Sequence, residues 1–250
     1  MKYTQAPVSE VILGVTFKKA KITVDQVFAL EQQLRHQFPQ IEVRPPIADE
    51  TLSGFRLNTE MNPEFTGPFV LRMRTVDRRW LCQIQRNKLY MNWTRPDDEP
   101  VGQYPGFRTV LSNFNELVKN ASQLGGDIAD GEVKYYDVTY HDRLEWQKYV
   151  DSVSGLSAIM NFNAPAIATP SGFNNVFSRY TFPDPEIGGF GLLSMNTDTS
   201  PTNSQILKFE TVLRGKLPDK SYSDWMQSAN KKHVGFFEEM FTEENLDKWR

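Results

Sequence analysis

Three consecutive segments in which apolar and polar side chains alternate constrain this chain more than any other feature. They cover residues 69–76, 79–86 and 89–94, and links of only two residues separate them. Links of that length are typical of tight β-hairpins, in which neighbouring strands run antiparallel. The pattern therefore predicts an antiparallel meander over residues 69–94, with the two sets of alternating side chains on opposite faces.

The two faces of this predicted meander differ in chemistry. One face is apolar, so we expect it to pack against helices. The other gathers the candidate ligand-binding residues Arg72, Arg74, Gln83, Gln85, Tyr90 and Asn92. Guanidinium groups beside amides and a phenol are suited to bind a carboxylate, a phosphate or a base edge. The alternative is an ordinary solvated sheet face, although such a face more often carries lysine and glutamate than glutamine and asparagine.

Further elements are predicted before and after the meander. Before it, a strand spans residues 8–17, Thr23 opens a helix with a capping box, and a short strand covers residues 54–59. After it, Pro105 starts a long amphipathic helix that Gly125-Gly126 ends as a C-cap.

The remainder of the chain continues with strands and a second long helix. Strands are predicted over residues 133–141, 176–182, 189–196 and 205–214, with a short helix within 145–160 and a loop rich in Pro, Ser and Asn over 163–175. Ser221 caps the second long helix, and Thr242 starts a short final turn that ends at Trp249.

This order of elements predicts an α+β fold made of two similar units. Each unit reads strand, helix, antiparallel meander and long helix, with the sheets packed on the long helices, which favours a pseudo-duplicated architecture. The glycine-rich segment after residue 124 divides residues 1–125, the N-terminal α+β half, from residues 126–250, the C-terminal α+β half of one two-lobed unit. A duplication predicts that residues 8–124 and 133–241 superpose in strand order.

Charge distinguishes the two halves. Residues 1–125 hold 16 Lys and Arg against 13 Asp and Glu, whereas residues 126–250 hold 12 against 18. The formal charge of −3 therefore divides into +3 and −6. Halves of opposite charge attract each other or present two different surfaces to partners.

The sequence contains no familiar catalytic motif. It lacks a P-loop, a G-x-S-x-G elbow, an H-E-x-x-H pair and a C-x-x-C pair. The glycines of residues 188–191 open a strand rather than a helix, so we interpret them as a strand entry. Cys82 and His233 are expected in the packed interior, and His36 and His141 at the surface. We predict no catalytic residues, no metal site and no cofactor.

The chain shows no targeting or membrane signal. No apolar segment follows a basic N-terminus, and the longest apolar run, residues 11–15, is far shorter than the ~20 residues that cross a bilayer. With a single cysteine as well, we expect a cytoplasmic protein without membrane association.

Arginine and aromatic residues interleave in the N-terminal half, as they do in several modules that bind single-stranded RNA. The arginines are Arg72, Arg74, Arg78, Arg79, Arg86 and Arg95. However, Trp80 and Trp93 fall on the apolar face of the meander, and no RNP-like motif is present. Nucleic-acid binding therefore stays an alternative.

Several short motifs follow one another along the chain. They are Ala6–Val15, Gln83-Ile84-Gln85-Arg86, Asn92-Trp93-Thr94-Arg95, Tyr104-Pro105, His233–Phe237 and Phe241-Thr242 with Trp249. In this order they resemble a sporadically distributed bacterial family of uncharacterised proteins of about this length, except that Thr94 interrupts the family's Asn-Trp-Arg motif. The resemblance implies no settled activity and a patchy distribution that suits mobile or defence-related genes.

We therefore expect a non-enzymatic binding or interaction protein with a protein partner. It would act as a subunit, sensor or inhibitor in a bacterial defence or toxin–antitoxin system. The alternative is a nucleotide- or RNA-binding protein, with or without catalysis, that uses the polar Arg/Gln/Asn face of the meander.

Overall fold

The protein folds around one large antiparallel sheet. The computed structural model describes residues 3, 5–53, 56–96, 99, 102–124, 132–145, 148, 160–161, 177–199 and 205–250. The strands of this part are β1 (Val8–Phe17), β2 (Gln40–Arg44), β3 (Asp49–Ser53), β4 (Arg56–Glu60), β5 (Val70–Arg74), β6 (Trp80–Gln85), β7 (Lys88–Thr94), β8 (Val133–Leu144), β9 (Phe177–Asp184), β10 (Gly189–Thr199) and β11 (Gln205–Gly215). The helices are α1 (Val24–Leu34), α2 (Pro63–Thr66), α3 (Phe107–Gln123), α4 (Tyr222–Met240) and α5 (Glu243–Trp249).

Nine strands form the sheet in the order β2–β5–β6–β7–β1–β8–β11–β10–β9, and β3 and β4 form a separate hairpin. Every neighbouring pair is antiparallel. At the centre, β1 pairs with β8, so the sheet runs without a break from the N-terminal half into the C-terminal half. This mixture of a large antiparallel sheet with helices confirms the predicted α+β class.

The predicted meander is also confirmed. β5, β6 and β7 pair in succession, and Met73, Cys82 and Met91 are cross-strand partners. All three side chains are buried, as expected for the apolar face. Local alternation therefore located this part of the sheet correctly.

Two strands were missed. β2 holds the five residues between Pro39 and Pro45. Prolines just outside a strand remove no hydrogen bond from its ladder, so they are compatible with a short edge strand. β3 has no alternation longer than five residues; among the described strands it pairs with β4 alone, which corresponds to the strand predicted over 54–59.

Helix α1 begins at the predicted capping box. The hydroxyl oxygen of Thr23 accepts a hydrogen bond from the backbone N–H of Gln26 at 3.2 Å, and the Gln26 side chain accepts one from the N–H of Thr23 at 2.8 Å. Phe28 of this helix is 45% exposed. Val27, Leu30 and Leu34 are buried and face the core.

The core lies between the sheet and the helices. α3 packs against β7 and β1, and α4 packs against β8 and β11. Val110 and Phe114 of α3 and Trp225 of α4 are buried in this layer. As predicted, Ser221 caps α4.

Three predictions fall outside the described residues. They are the C-cap at Gly125-Gly126, most of the helix within 145–160 and the loop over 163–175. Within the part of the chain that the structure describes, no helix is long and apolar enough to cross a membrane.

Candidate functional site

One row of side chains crosses the polar face of the sheet. Glu42 on β2, Arg72 on β5, Gln83 on β6 and Tyr90 on β7 are successive cross-strand partners. Because side chains alternate between faces, positions two residues away point to the same side. The structure therefore places all six predicted site residues on one face, but it divides them between an open edge and a closed centre.

The open edge contains a pocket of about 380 Å³, which we call the arginine pocket. It is lined by Gln40, Ile41 and Glu42 of β2, Arg72 and Arg74 of β5, and Arg78 of the following turn. Two of the six predicted site residues thus lie together in a concave site. Three guanidinium groups face one carboxylate there, so the pocket carries a net positive charge.

The positive charge of the arginine pocket is only partly neutralised. Glu42 forms an ion pair with Arg44, and its Oε2 lies 3.8 Å from Nη1 of Arg72. Nε of Arg72 is buried and has no hydrogen-bond partner in the part of the chain that the structure describes. Arg74 has no hydrogen bond or ion pair with any described residue, and burial, together with the charge of Arg72, lowers its pKa. Guanidinium charge left in this state attracts an anion.

Arg78 reaches the arginine pocket from an unusual backbone conformation. Its φ is +60°, in the left-handed region that favours glycine because a Cβ crowds the backbone there. Its N–H donates to the carbonyl oxygen of Thr75 at 3.0 Å and closes the turn between β5 and β6. Glycine would adopt this backbone conformation with less strain, yet the position holds a long cationic side chain. Backbone strain of this kind is typical of functional sites, which indicates a functional role for the Arg78 side chain.

Gln83 and Asn92 connect the pocket to the middle of the sheet. Nε2 of Gln83 donates to Oδ1 of Asn92 at 3.1 Å, and Nδ2 of Asn92 donates to Oε1 of Glu10 at 2.7 Å. Asn92 is only 3% exposed. Both of its amide atoms are therefore engaged by protein partners.

Gln85 and Tyr90 belong to the closed centre. The N–H of Ile47 donates to Oε1 of Gln85 at 2.7 Å, and Nε2 of Gln85 donates to the carbonyl oxygen of Ile47 at 3.1 Å. The ring of Tyr90 lies across Gly14, where a Cβ would come within 2.1 Å of it. The Tyr90 hydroxyl donates to Oδ2 of Asp137 at 3.4 Å. Both predicted residues are buried and serve internal contacts.

Charged residues from four strands surround this closed centre, and we call them the ion network. Its members are Asp49, Glu50, Lys88, Lys134, Asp137 and Arg214. Nζ of Lys88 lies 2.6 Å from Oδ1 of Asp49, and Nζ of Lys134 lies 2.8 Å from Oδ2. Arg214 pairs with Asp137 and, at 3.2 Å, with Glu50. Since two members lie on β3, the network fastens the β3–β4 hairpin to the sheet.

Charges within the ion network compensate one another. Burial lowers the pKa of Lys88, while the adjacent Asp49 carboxylate acts in the opposite direction. Burial also tends to raise the pKa of Asp49, but the hydrogen bonds from Lys134 and Lys88 outweigh it and lower that pKa. Sequence reasoning missed the network because Arg214 is 77 residues from Asp137 and 164 from Glu50, so no local spacing connects them.

Aromatic residues from several of the short sequence motifs meet on the opposite, helix-packed face. Together with Tyr140 of β8, their rings follow one another in the order Trp93, Tyr104, Tyr140, His233, Phe237 and Trp249. The ring of His233 stacks on Tyr140 with centroids 3.6 Å apart and planes within 4°. Motifs far apart in the sequence thus belong to one continuous aromatic core.

Two titratable groups are buried in that core. Asp142 is 1% exposed, and neither of its carboxylate oxygens has a hydrogen-bond partner in the described part of the chain. Burial raises its pKa to about 7, although the charge of Arg95 opposes the shift. Burial lowers the pKa of His233 to about 3, so this ring is neutral at pH 7. His233 packs in the interior as predicted.

The cysteine and the other two histidines make ordinary structural contacts. Cys82 is buried as predicted, and burial raises the pKa of its thiol. His36 is exposed, and its Nδ1 lies 2.9 Å from the carbonyl oxygen of Gln33. His141 is partly buried, with Nε2 3.9 Å from Oε2 of Glu10.

Neither metal-binding geometry nor a known relative identifies this site. Among the described residues, no three His, Cys, Asp or Glu side chains are grouped to hold a metal ion. No family model and no curated protein matches the sequence. Only the geometry of the site bears on its function.

Proposed function

We propose that this protein is a non-enzymatic binding protein that recognises an anionic partner through the arginine pocket. The observation that carries this proposal is the state of Arg74, which lies in an open pocket without an ion-pair partner among the described residues. Arg72 and Arg78 add further positive charge to the same pocket. A carboxylate or phosphate of a partner would supply the missing charge and hydrogen-bond acceptors.

A protein partner is favoured by the apolar side chains near the pocket. Ile41 is 40% exposed, Val43 60% and Val76 74%. Exposed apolar groups around a charged pocket are typical of surfaces that bind other proteins. In this role the chain acts as a subunit, sensor or inhibitor in the cytoplasm, and the family resemblance favours a bacterial defence or toxin–antitoxin system.

Nucleotide or RNA binding is the second candidate. Three guanidinium groups in one pocket also fit phosphate oxygens. However, proteins that hold unpaired bases stack them on aromatic side chains. None of the described residues that line the arginine pocket is aromatic, and Tyr90, on the same face, is buried in the closed centre. This candidate therefore has weaker support.

We also propose that the two halves are repeats of one unit, each with its part of the sheet packed on a long helix. The support is the strand order on either side of the central β1–β8 pair. Next to β1 come β7, β6 and β5, and next to β8 come β11, β10 and β9. Residues 8–124 and 133–241 then superpose strand on strand, with β2 as an addition to the first unit.

An anion-binding experiment tests the main proposal. Wild-type protein is titrated at low salt with inorganic pyrophosphate, ATP, a short single-stranded RNA and an acidic peptide, by calorimetry and thermal shift. We expect wild-type protein to bind at least one of these anions, and the Arg72→Ala/Arg74→Ala double variant to lose that binding. Arg108→Ala, at an exposed arginine on α3, is the matched control and keeps it. Absence of any anion binding, or binding that the double variant retains, contradicts the proposal.

A further inference from the structure

The arginine pocket adjoins an open edge of the sheet. β2 pairs with β5 on one side, and no described strand pairs with it on the other. An edge strand presents backbone N–H and C=O groups that have no ladder partner. Four of its five side chains are exposed as well, so an incoming chain can reach the edge directly.

We propose that β2 accepts an extended peptide as an additional strand, with acidic side chains of that peptide placed over the arginine pocket. This inference rests on the proposed function and names the partner as a protein segment in β conformation. Strand addition provides affinity through main-chain hydrogen bonds, and specificity through alternate side chains. The pocket charge and the sheet edge then act on the same ligand.

The polar side of β2 determines which residues the added strand needs. Gln40 is the cross-strand partner of Arg74, so an acidic residue opposite Gln40 points towards that guanidinium. An acidic residue opposite Arg44 forms a direct ion pair with it. Opposite Glu42 a neutral residue fits, because like charges directly across two strands are destabilising.

The two apolar residues of β2 determine which residues fit the remaining two positions of the added strand. Ile41 and Val43 alternate with the polar residues of β2 and are exposed, and Ile41 also lines the arginine pocket, so apolar side chains on the added strand cover them. Pro39 and Pro45 bracket β2 and limit the pairing to about five residues. The matching segment is acidic, apolar, neutral, apolar, acidic, as in Glu-Val-Gln-Val-Glu. This sequence reads the same in both directions and suits either strand orientation.

A second copy of the chain fits this edge less well. Antiparallel pairing of two β2 strands about Glu42 places one Glu42 directly against the other. It also brings two arginine pockets, each with net positive charge, to the same interface. Both juxtapositions set like charges together, which disfavours this arrangement.

The first arm of the test measures sequence and charge preference. Capped Glu-Val-Gln-Val-Glu is titrated into the full chain and followed by the NMR amide shifts of Gln40–Arg44, with capped Lys-Val-Gln-Val-Lys as the control. We expect binding of the acidic peptide only, weakened about tenfold by Arg72→Ala/Arg74→Ala and unchanged by Arg108→Ala. Glu42→Gln removes the repelling carboxylate and strengthens binding a few-fold. Equal binding of both peptides overturns the proposal.

The second arm tests whether the peptide pairs as a strand. Alternate amides of a strand face opposite sides. One peptide is therefore N-methylated on both valines and another on both glutamates and the glutamine. Strand addition predicts that one of these peptides loses binding and the other keeps it. Retention by both, or loss by both, overturns strand addition.

The third arm separates this inference from the proposed function. Binding of inorganic pyrophosphate that depends on Arg72 and Arg74, without peptide binding, overturns strand addition and leaves the proposed function standing. Absence of both kinds of binding overturns both. Tighter binding of a short RNA than of the acidic peptide, or a dimer in sedimentation equilibrium that Ile41→Thr/Val43→Thr abolishes, overturns the peptide as occupant.

Discussion

Two arginines in the same row of the sheet have opposite surroundings. Arg72 lies near the open edge, with 28% of its side chain exposed, whereas Arg214 lies beneath the β3–β4 hairpin, with 11% exposed. Arg214 pairs with Asp137 and with Glu50, which the hairpin supplies. The hairpin thus supplies a counter-charge to the arginine that it covers, whereas our proposal leaves the guanidinium charge at the uncovered edge for a partner to neutralise.

Removal of a partner inside the ion network gives the largest effect that this comparison predicts. Asp137→Ala leaves Arg214 buried without its nearest counter-charge and should lower the free energy of unfolding by about 3–5 kcal/mol in urea titrations. Arg72→Ala at the open edge should change it by less than about 0.5 kcal/mol. Equal losses in the two variants would remove the distinction between the regions.

A second comparison concerns two buried aspartates on β8, of which Asp137 is paired and Asp142 has no hydrogen-bond partner among the described residues. The carboxyl of Asp142 has an ordinary pKa of 3.8 and a folded pKa of about 7, so between these values the folded chain binds more protons than the unfolded one. Its contribution to stability is therefore complete below about pH 4 and is lost as pH rises to 7.

Asp142→Asn removes that loss. The free energy of unfolding of the variant, minus that of wild type, should be higher at pH 8 than at pH 4 by on the order of 3–4 kcal/mol. Urea titrations at pH 4, 6 and 8 measure this change. A difference from wild type that does not vary with pH would show that Asp142 is ionised in the folded chain.

His233 should act in the opposite direction over an overlapping range. Its pKa falls from 6.5 to about 3 on folding, so its contribution is present above pH 6.5 and is lost as pH falls. Wild-type stability should therefore change less between pH 4 and 6.5 than that of Asp142→Asn. His233→Phe keeps a ring against Tyr140, and the double variant should restore a nearly flat profile. If the free energy of unfolding of the double variant still depends steeply on pH, other titratable groups cause that dependence.

The smallest predicted effect separates binding from folding at the open edge. Arg78→Gly relieves a left-handed backbone conformation and should raise the free energy of unfolding by up to about 1 kcal/mol. The same substitution removes a cation from the arginine pocket, so anion binding should weaken. Calorimetry and urea titration on one preparation measure both quantities. A variant that loses stability and keeps its binding would place the Arg78 side chain in the fold rather than in the site.

The sequence predicted the meander because alternation over residues 69–94 is a local pattern, and it therefore placed Arg72 and Arg74 on the polar face correctly. It missed β2, since five residues between two prolines are too few to show a period. It also missed the pairing of Arg214 with Asp137 and Glu50, because contacts across 77 and 164 residues leave no trace in local spacing. The closed part of the face differs from the open part through such contacts between segments distant in the sequence.

The central position of β1 has a consequence for the growing polypeptide. Val133, where β8 begins, lies 116 positions after Phe17, the end of β1. Until the ribosome has released β8, β1 is an open edge that carries Val11, Leu13 and Val15, all buried in the finished sheet. Such edges recruit other chains during synthesis. We therefore expect chaperones to bind a nascent chain or fragment of this protein that stops before residue 133 more than the finished chain.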